Sequence, residues 1–244
     1  MIVDLNLKDK KIIIIGAGNE AEKRIKSLIN QNCEILVISD SVNMQIMKLV
    51  KTKKIKLKKQ KIENMKFISE LKPDIIITTT DDKKLNQKII NYSKKKRVIV
   101  YSSDNSDESD FSNPAIIDFE KMIQIAIFTG GKSPAMSKKI KMKLETILKK
   151  TITKEDIVQI KIQKISRKLA KEMIPTQLER KKCLQSIMND NSIDQLIKDG
   201  QLKKAENRAI SILRNWITHQ YTFLNNLRSK MLKMHMNSSK NIQD

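Results

Sequence analysis

The chain has 244 residues and a mass of 28.2 kDa, and 39% of it is hydrophobic, enough to fill a real core and to exclude a disordered protein. Its 49 Lys and Arg against 27 Asp and Glu give a formal charge of +22, with +12 in residues 1–100 and +10 in the rest. The excess is spread with no detachable basic tail, and it predicts an anionic partner. Cys33 and Cys183 lie 150 positions apart and outside any CxxC pair, which argues against a disulfide framework or zinc knuckle. No apolar run approaches the roughly 20 residues of a membrane span, and residues 1–11 hold no signal-like stretch. The expectation is a soluble cytoplasmic protein with no membrane partner.

In chain order, short β-branched runs alternate with amphipathic stretches at helical spacing. Strands are predicted at 11–15, 34–38, 55–59, 74–78 and 97–101, and helices at 21–30, 44–50, 62–71 and 85–95. Alternation of this kind predicts an α/β fold, a Rossmann-type parallel sheet with helices on both faces. In the lysine-rich run 51–61, Ile55 and Leu57 alternate with lysines, as in an edge strand protected by charge. Residues 102–113 turn to Ser, Asp and Asn, and Pro114 closes this loop leaving the sheet. Apolar segments 115–117 and 123–128 predict an antiparallel pair outside the parallel sheet. Beyond Gly130-Gly131-Lys132-Ser133-Pro134 the chain reads as helical over 135–150, 154–173, 177–188 and 202 to about 232, with breaks at Pro175 and Gly200 and a frayed end at 237–244. The predicted division is an NAD-binding Rossmann domain at 1–113, a small strand–helix segment at 114–150 and a C-terminal helical domain at 151–244.

The sharpest motif is Gly16-Ala17-Gly18-Asn19-Glu20-Ala21, directly after a strand and opening a helix. Gly16 permits the tight turn, Gly18 lets a pyrophosphate approach the backbone, and Ala21 lets the helix pack closely on the sheet. The open amides at the helix start, over Asn19 and Glu20, hold the phosphate charge. The bland alternative is a glycine turn without a ligand. Asp40 stands 19 residues after Ala21, where an acidic side chain bonds the adenine ribose, with Ser41 beside it. A carboxylate there repels a 2′-phosphate, which favours NAD over NADP unless neighbouring lysines compensate; the other reading of Asp40 is an ordinary loop carboxylate. Thr80 and Asp81, in Thr78-Thr79-Thr80-Asp81-Asp82 at the end of the fourth strand, line the same cleft, and either Asp81 or Asp82 caps the following helix.

Taken in order and spacing, Gly16–Ala21, Thr79-Thr80-Asp81-Asp82-Lys83-Lys84-Leu85-Asn86, residues 110–118 (DFSNPAIID) and Thr129-Gly130-Gly131-Lys132-Ser133-Pro134-Ala135 resemble the siroheme synthase family over roughly residues 1–200. The resemblance implies a precorrin-2 dehydrogenase, oxidising precorrin-2 to sirohydrochlorin with NAD, on a homodimer whose middle segment, here 114–150, exchanges contacts between subunits. Some members are also sirohydrochlorin ferrochelatases, for which Fe2+ is a substrate; the sequence leaves that activity open. Asp104 matches the position of the family's catalytic Asp and is the candidate general base, with a spectator carboxylate of an acidic loop as the alternative. This chain departs from the family at Tyr101, Ser102 and Ser103, at Ser112 and Asn113, and at Glu20 beside the expected pyrophosphate.

A porphyrinoid substrate with many carboxylates gives the basic composition a physical reading. Gly130, Gly131, Lys132 and Ser133 are the candidate substrate-binding residues, Lys132 foremost, with Ser133 also placed to cap the next helix. The lysines at 138, 139, 141 and 143 read equally as a solvated helix face. Residues 177–187, Asp190 and 193–200 resemble the family's C-terminal helical part, which implies a roof over the substrate cleft, with simple helix packing as the alternative. His219 and His235, the two histidines, form no ligand cluster with cysteine, so no metal site is expected. Scarce aromatics speak against a nucleic-acid partner. The rival readings are a catalytically silent NAD- or tetrapyrrole-binding regulator and a basic nucleic-acid-binding protein.

Overall fold

The structure, a computed structural model, describes residues 2–218. Five parallel strands, β1 (Lys11–Ile15), β2 (Glu34–Ser39), β3 (Lys56–Lys59), β4 (Ile75–Thr78) and β5 (Ile99–Ser102), form one sheet in the order β3-β2-β1-β4-β5. The chain winds outward from β1 to β3 and then returns to β4 and β5. This reversal opens a crevice at the carboxyl ends of β1 and β4. Helices α1 (Asn19–Leu28), α2 (Met44–Lys51), α3 (Lys66–Leu71) and α4 (Lys83–Lys95) make the crossovers.

The sheet is built from isoleucine because both faces are covered. Ile12 and Ile14 point with Val37 and Ile77 toward Ala21 and Ile25 of α1 and Ile46 of α2. Ile13 and Ile15 point the other way, with Ile38, Ile76 and Val100, toward Phe67 and Ile68 of α3 and Ile89 and Ile90 of α4. The period of two in the side chains splits one apolar run between two cores. β3 is an edge strand, its lysines exposed and Leu57 half-buried. The opposite edge, β5, is covered by its own following loop. Val100 donates its N–H to Asp110 Oδ2 and accepts from Asp110 N, both at 2.8 Å, while Ser102 N donates to Ser109 Oγ at 2.9 Å.

Two expected elements differ. The helix predicted at 62–71 begins only at Lys66, because Asn64 Oδ1 accepts from Lys66 N at 3.0 Å and holds the preceding backbone in a turn. The strand predicted at 97–101 begins at Ile99, because Arg97 takes a left-handed conformation with φ 58° after α4.

The chain divides into two compact units, one of the described residues up to Ala115 with Ala126–Lys138, the other of Ile116–Ile125 with the described residues from Lys139 onward. β6 (Ala115–Phe119) and β7 (Ile123–Ile127) form a separate two-stranded sheet, and their three-residue connection allows only an antiparallel pair. Helix α5 (Pro134–Thr151) follows. In the second unit α6 (Lys154–Met173), α7 (Gln177–Met188), α8 (Asn191–Lys198) and a helix at 202–218 enclose Ile162, Ala170, Cys183, Ile187, Ile193, Ala205 and Leu213. Thr153 and Asp156 form a capping box at the start of α6, and Thr176 and Asp190 cap α7 and α8. Ile174 is held extended before Pro175 and ends α6, while Gly200, at φ 71°, stands beyond the end of α8. The predicted helix beyond 218, His219, His235 and residues 237–244 lie outside the described residues. Among the described residues no helix is long and apolar enough to cross a membrane.

Candidate active site

The glycine turn has the geometry that its residues dictate. Gly16 adopts φ 98° and donates its N–H to Ile38 O at 3.0 Å, which fastens the end of β1 to the end of β2. A Cβ on Gly16 would lie 2.8 Å from Thr79 Oγ1 and 3.1 Å from Thr79 O, so only glycine fits. Gly18 is the N-cap of α1, carries no side chain to satisfy the first amides, and would meet nothing within 4 Å if a Cβ were added. Open space over uncapped amides is what a pyrophosphate requires. Ala21, 0% exposed, sits where α1 meets the sheet.

Asp40 is brought to this turn by two backbone bonds, Gly16 N to Ile38 O and Asn43 N to Ala17 O at 3.1 Å. Asn43 also caps α2 and donates to Glu22 of α1, which locks the loop carrying the exposed Asp40 and Ser41. A cleft of about 440 Å³ opens here, and its lining includes Gly16, Asp40, Thr80, Lys61, Lys84 and Lys88. Ile62, Glu63 and Met65 on the same wall belong to the segment expected as helix, and Gln60 and Lys61 stand just before it. Sequence reasoning missed these residues as cleft wall, and the Asn64 turn was the available signal. Asp82 lines the cleft too and caps α4 by accepting from Leu85 N at 3.0 Å, whereas Asp81 is exposed and stands outside the lining.

Glu20 points its charge back along α1. It pairs with Lys23 at 3.1 Å and with Arg24. Burial alone would raise its pKa, but the Lys23 hydrogen bond and the charges of Arg24 and Lys23 prevail and hold it below the ordinary value. Arg24 in turn donates to Tyr101 Oη at 2.9 Å and lies 4.9 Å from that ring's centroid, and Tyr101 stacks on Phe111 at 5.2 Å. Two of the departures from the family pattern, Glu20 and Tyr101, thus meet through one arginine.

Asp104 lies just past β5, exposed, with Oδ1 accepting from Ser102 Oγ and, at 3.1 Å, from Asn86 Nδ2. Asn86 also bonds Thr80 twice, so one buried amide joins the cleft wall to the candidate base. The sequence marks Asn86 only as part of a motif and Ser102 only as a departure from the family pattern, and it points to no contact of either with Asp104. At the other candidate site, Gly130 and Gly131 take φ 65° and 76°, with open space where their Cβ atoms would be. Lys132 is exposed, and Ser133 Oγ accepts from Met136 N at 3.2 Å, the cap of α5. Among the described residues no group of three or more His, Cys, Asp or Glu could hold a metal ion.

Residues 3–115 match a protein family described as "Putative NAD(P)-binding". The chain is 28% identical over 200 residues to the "Putative precorrin-2 dehydrogenase" of Methanocaldococcus jannaschii, covering 80% of this chain and 92% of that protein. It is 23% identical over 211 residues to the siroheme synthase of Actinobacillus pleuropneumoniae serotype 7, covering 86% of this chain and 42% of that one. With the siroheme synthase of Buchnera aphidicola the figures are 27% over 214 residues, 85% and 44%. The chain therefore spans less than half the length of these siroheme synthases. Among solved structures, "SirC, precorrin-2 dehydrogenase" shares the fold, with a TM-score of 0.64, 20% identity, and coverage of 85% of this chain and 99% of that one. The cleft formed by the glycine turn and Asp40 thus lies within the residues that match the "Putative NAD(P)-binding" family, and the chain that carries it is similar over 80% or more of its length to siroheme synthases and to a putative precorrin-2 dehydrogenase.

Proposed function

We propose that this protein is an NAD-dependent dehydrogenase that oxidises precorrin-2 to sirohydrochlorin. The observation that carries the reading is the placing of an acceptor carboxylate, Asp104, one buried amide away from the cleft. Bound NAD supplies the acceptor for a hydride leaving the macrocycle. Gly16, Gly18, Asn19 and the first amides of α1 hold its pyrophosphate; Asp40 and Ser41 bind its ribose, and Thr80 lies along the cleft wall. Asp104 accepts the proton that the macrocycle releases as it loses the hydride. Asp81, outside the cleft lining, has less claim to the cofactor than Thr80.

The substrate's carboxylates match the protein's charge, and the exposed Lys132 on its open double-glycine turn is assigned to one of them, with Gly130, Gly131 and Ser133 shaping the approach. We read the active form as a homodimer, since Ile116, Phe128, Met136, Met142 and Ile147 leave large apolar side chains exposed on the hairpin and α5.

The test is anaerobic conversion of precorrin-2 with NAD, followed by absorbance. The wild type is expected to turn over, and Asp104→Ala to lose a factor of about 10² to 10⁴ in kcat. A wild type that binds NAD and the macrocycle without turnover overturns the dehydrogenase and leaves a binding regulator in its place.

A further inference from the structure

The carboxyl ends of β4 and β5, with the facing side of α4, bury polar side chains beside an apolar sheet core. Thr78 is 0% exposed, and Ser102 and Asn86 are each 1% exposed. Buried hydroxyls and amides are costly unless bonded. All three are bonded, and the chain of bonds ends on one carboxylate. Thr78 Oγ1 lies 2.7 Å from Ser102 Oγ, and Ser102 Oγ reaches Asp104 Oδ1. Asn86 Nδ2 reaches Thr80 O at 2.9 Å and Asp104 Oδ1 at 3.1 Å, while Asn86 Oδ1 accepts from Thr80 Oγ1 at 2.7 Å.

The direction of each proton follows from the carboxylate, which accepts only. Ser102 gives its hydroxyl proton to Asp104 Oδ1, so Thr78 is the donor to Ser102. Asn86 spends both of its amide protons, one on each side. Asp104 Oδ1 therefore receives two donors from buried, immobile groups, and Oδ2 has no hydrogen bond among the described residues.

We infer that Ser102 and Asn86 are positioning residues for Asp104, saturating Oδ1 and fixing the carboxylate so that Oδ2 is the oxygen presented to the departing proton. The inference rests on the reading of Asp104 as the proton acceptor. An exposed carboxylate on a loop would otherwise sample several rotamers, and misplacement of a reacting group by an ångström is costly to rate. Asn86 adds a second linkage. Its grip on Thr80 keeps the cofactor wall and the base in fixed relation.

The experiment uses the full chain, with precorrin-2 and NAD under anaerobic conditions. It compares Ser102→Ala, Ser102→Thr and Asn86→Ala, each alone and combined with Asp104→Ala. Ser102→Ala is expected to lower kcat by about 10- to 100-fold while the KM for precorrin-2 and the Kd for NAD stay within about twofold. Ser102→Thr restores most of the rate because the hydroxyl returns. Asn86→Ala lowers kcat at least as far, and neither alanine lowers the residual rate of Asp104→Ala further. Wild-type kcat in Ser102→Ala, or losses that multiply with that of Asp104→Ala, overturns the inference. If Asn86→Ala does not fold, the serine pair decides alone. An inactive wild type, or a fully active Asp104→Ala, overturns the Asp104 reading and the inference with it, and is seen before any serine variant is assayed.

Discussion

Replacing Gly16 with alanine tests the glycine turn by two independent costs. The backbone there has φ 98°, a region that L side chains rarely adopt, and forcing a Cβ into it costs about 1–3 kcal/mol. The added methyl would also stand 2.8 Å from Thr79 Oγ1 and 3.1 Å from Thr79 O. Thr79 cannot withdraw cheaply, because its N–H and its hydroxyl both donate to Ile15 O, at 2.9 and 2.8 Å. Overlap of this kind adds about 1–3 kcal/mol, for a total of about 2–6 kcal/mol. A thermal melt followed by circular dichroism should show the sheet-containing unit unfolding about 10 °C lower. Gly18→Ala is the matched control, since its backbone is extended and its Cβ would meet nothing. That variant should melt at or slightly above the wild-type temperature yet bind NAD at least tenfold more weakly, by calorimetry, because the methyl occupies the pyrophosphate's approach. A Gly16→Ala protein that melts within about 2 °C of wild type refutes the steric argument. A Gly18→Ala protein with unchanged NAD affinity refutes the placement of the pyrophosphate.

Asp40→Asn removes the charge opposed to a 2′-phosphate while Lys61, Lys84 and Lys88 remain on the same cleft, so the ratio of NADP to NAD affinity should rise about tenfold in paired titrations. Asp190 is desolvated, which alone would raise its pKa, but the Arg208 hydrogen bond and the amide of Ile193 hold it below the ordinary 3.8. Its contribution is therefore complete above that value and lost as pH falls through the lower folded value, so Asp190→Ala, about 1 kcal/mol less stable near neutrality, should converge on wild type in urea melts at strongly acid pH. Cys183 is fully buried, and burial together with the Glu179 charge pushes its thiol up to about 11; it should react with a thiol reagent only on unfolding, after the half-buried Cys33.

The sheet was legible because its signal is local and repeated. Isoleucine runs of four and three residues, each followed by a helix-period stretch, leave little choice but a parallel sheet. Gly16 and Asp40 were legible for a related reason, since a fixed motif places both at carboxyl ends of adjacent strands. What escaped depended on contacts far apart in sequence or on a competing local bond. Asn64 delayed the start of the third helix and left Ile62, Glu63 and Met65 as cleft wall beside Gln60 and Lys61. Ser102 read only as the start of a loop and a departure from the family pattern, because nothing nearby in sequence announces Thr78, 24 positions away, as its partner. Asn86 and Asp104 are 18 positions apart and meet only once β4 and β5 pair. The helix at Asn191–Lys198 was given no bounds of its own, though Asp190 caps it as sequence rules allow.

The loop that follows β5 has two employments that evolution or an engineer must satisfy together. It carries Asp104, and it supplies Asp110 and Ser109 as stand-ins for the neighbouring strand that β5 lacks. A change that frees this loop, even one chosen to widen access to the cleft, would bare the outward N–H and C=O groups of Val100 and Ser102 to other chains. Variants selected for altered chemistry at this loop should therefore lose solubility in proportion to how far they release Asp110, and screens for activity at high protein concentration will confuse aggregation with lost catalysis unless both are recorded.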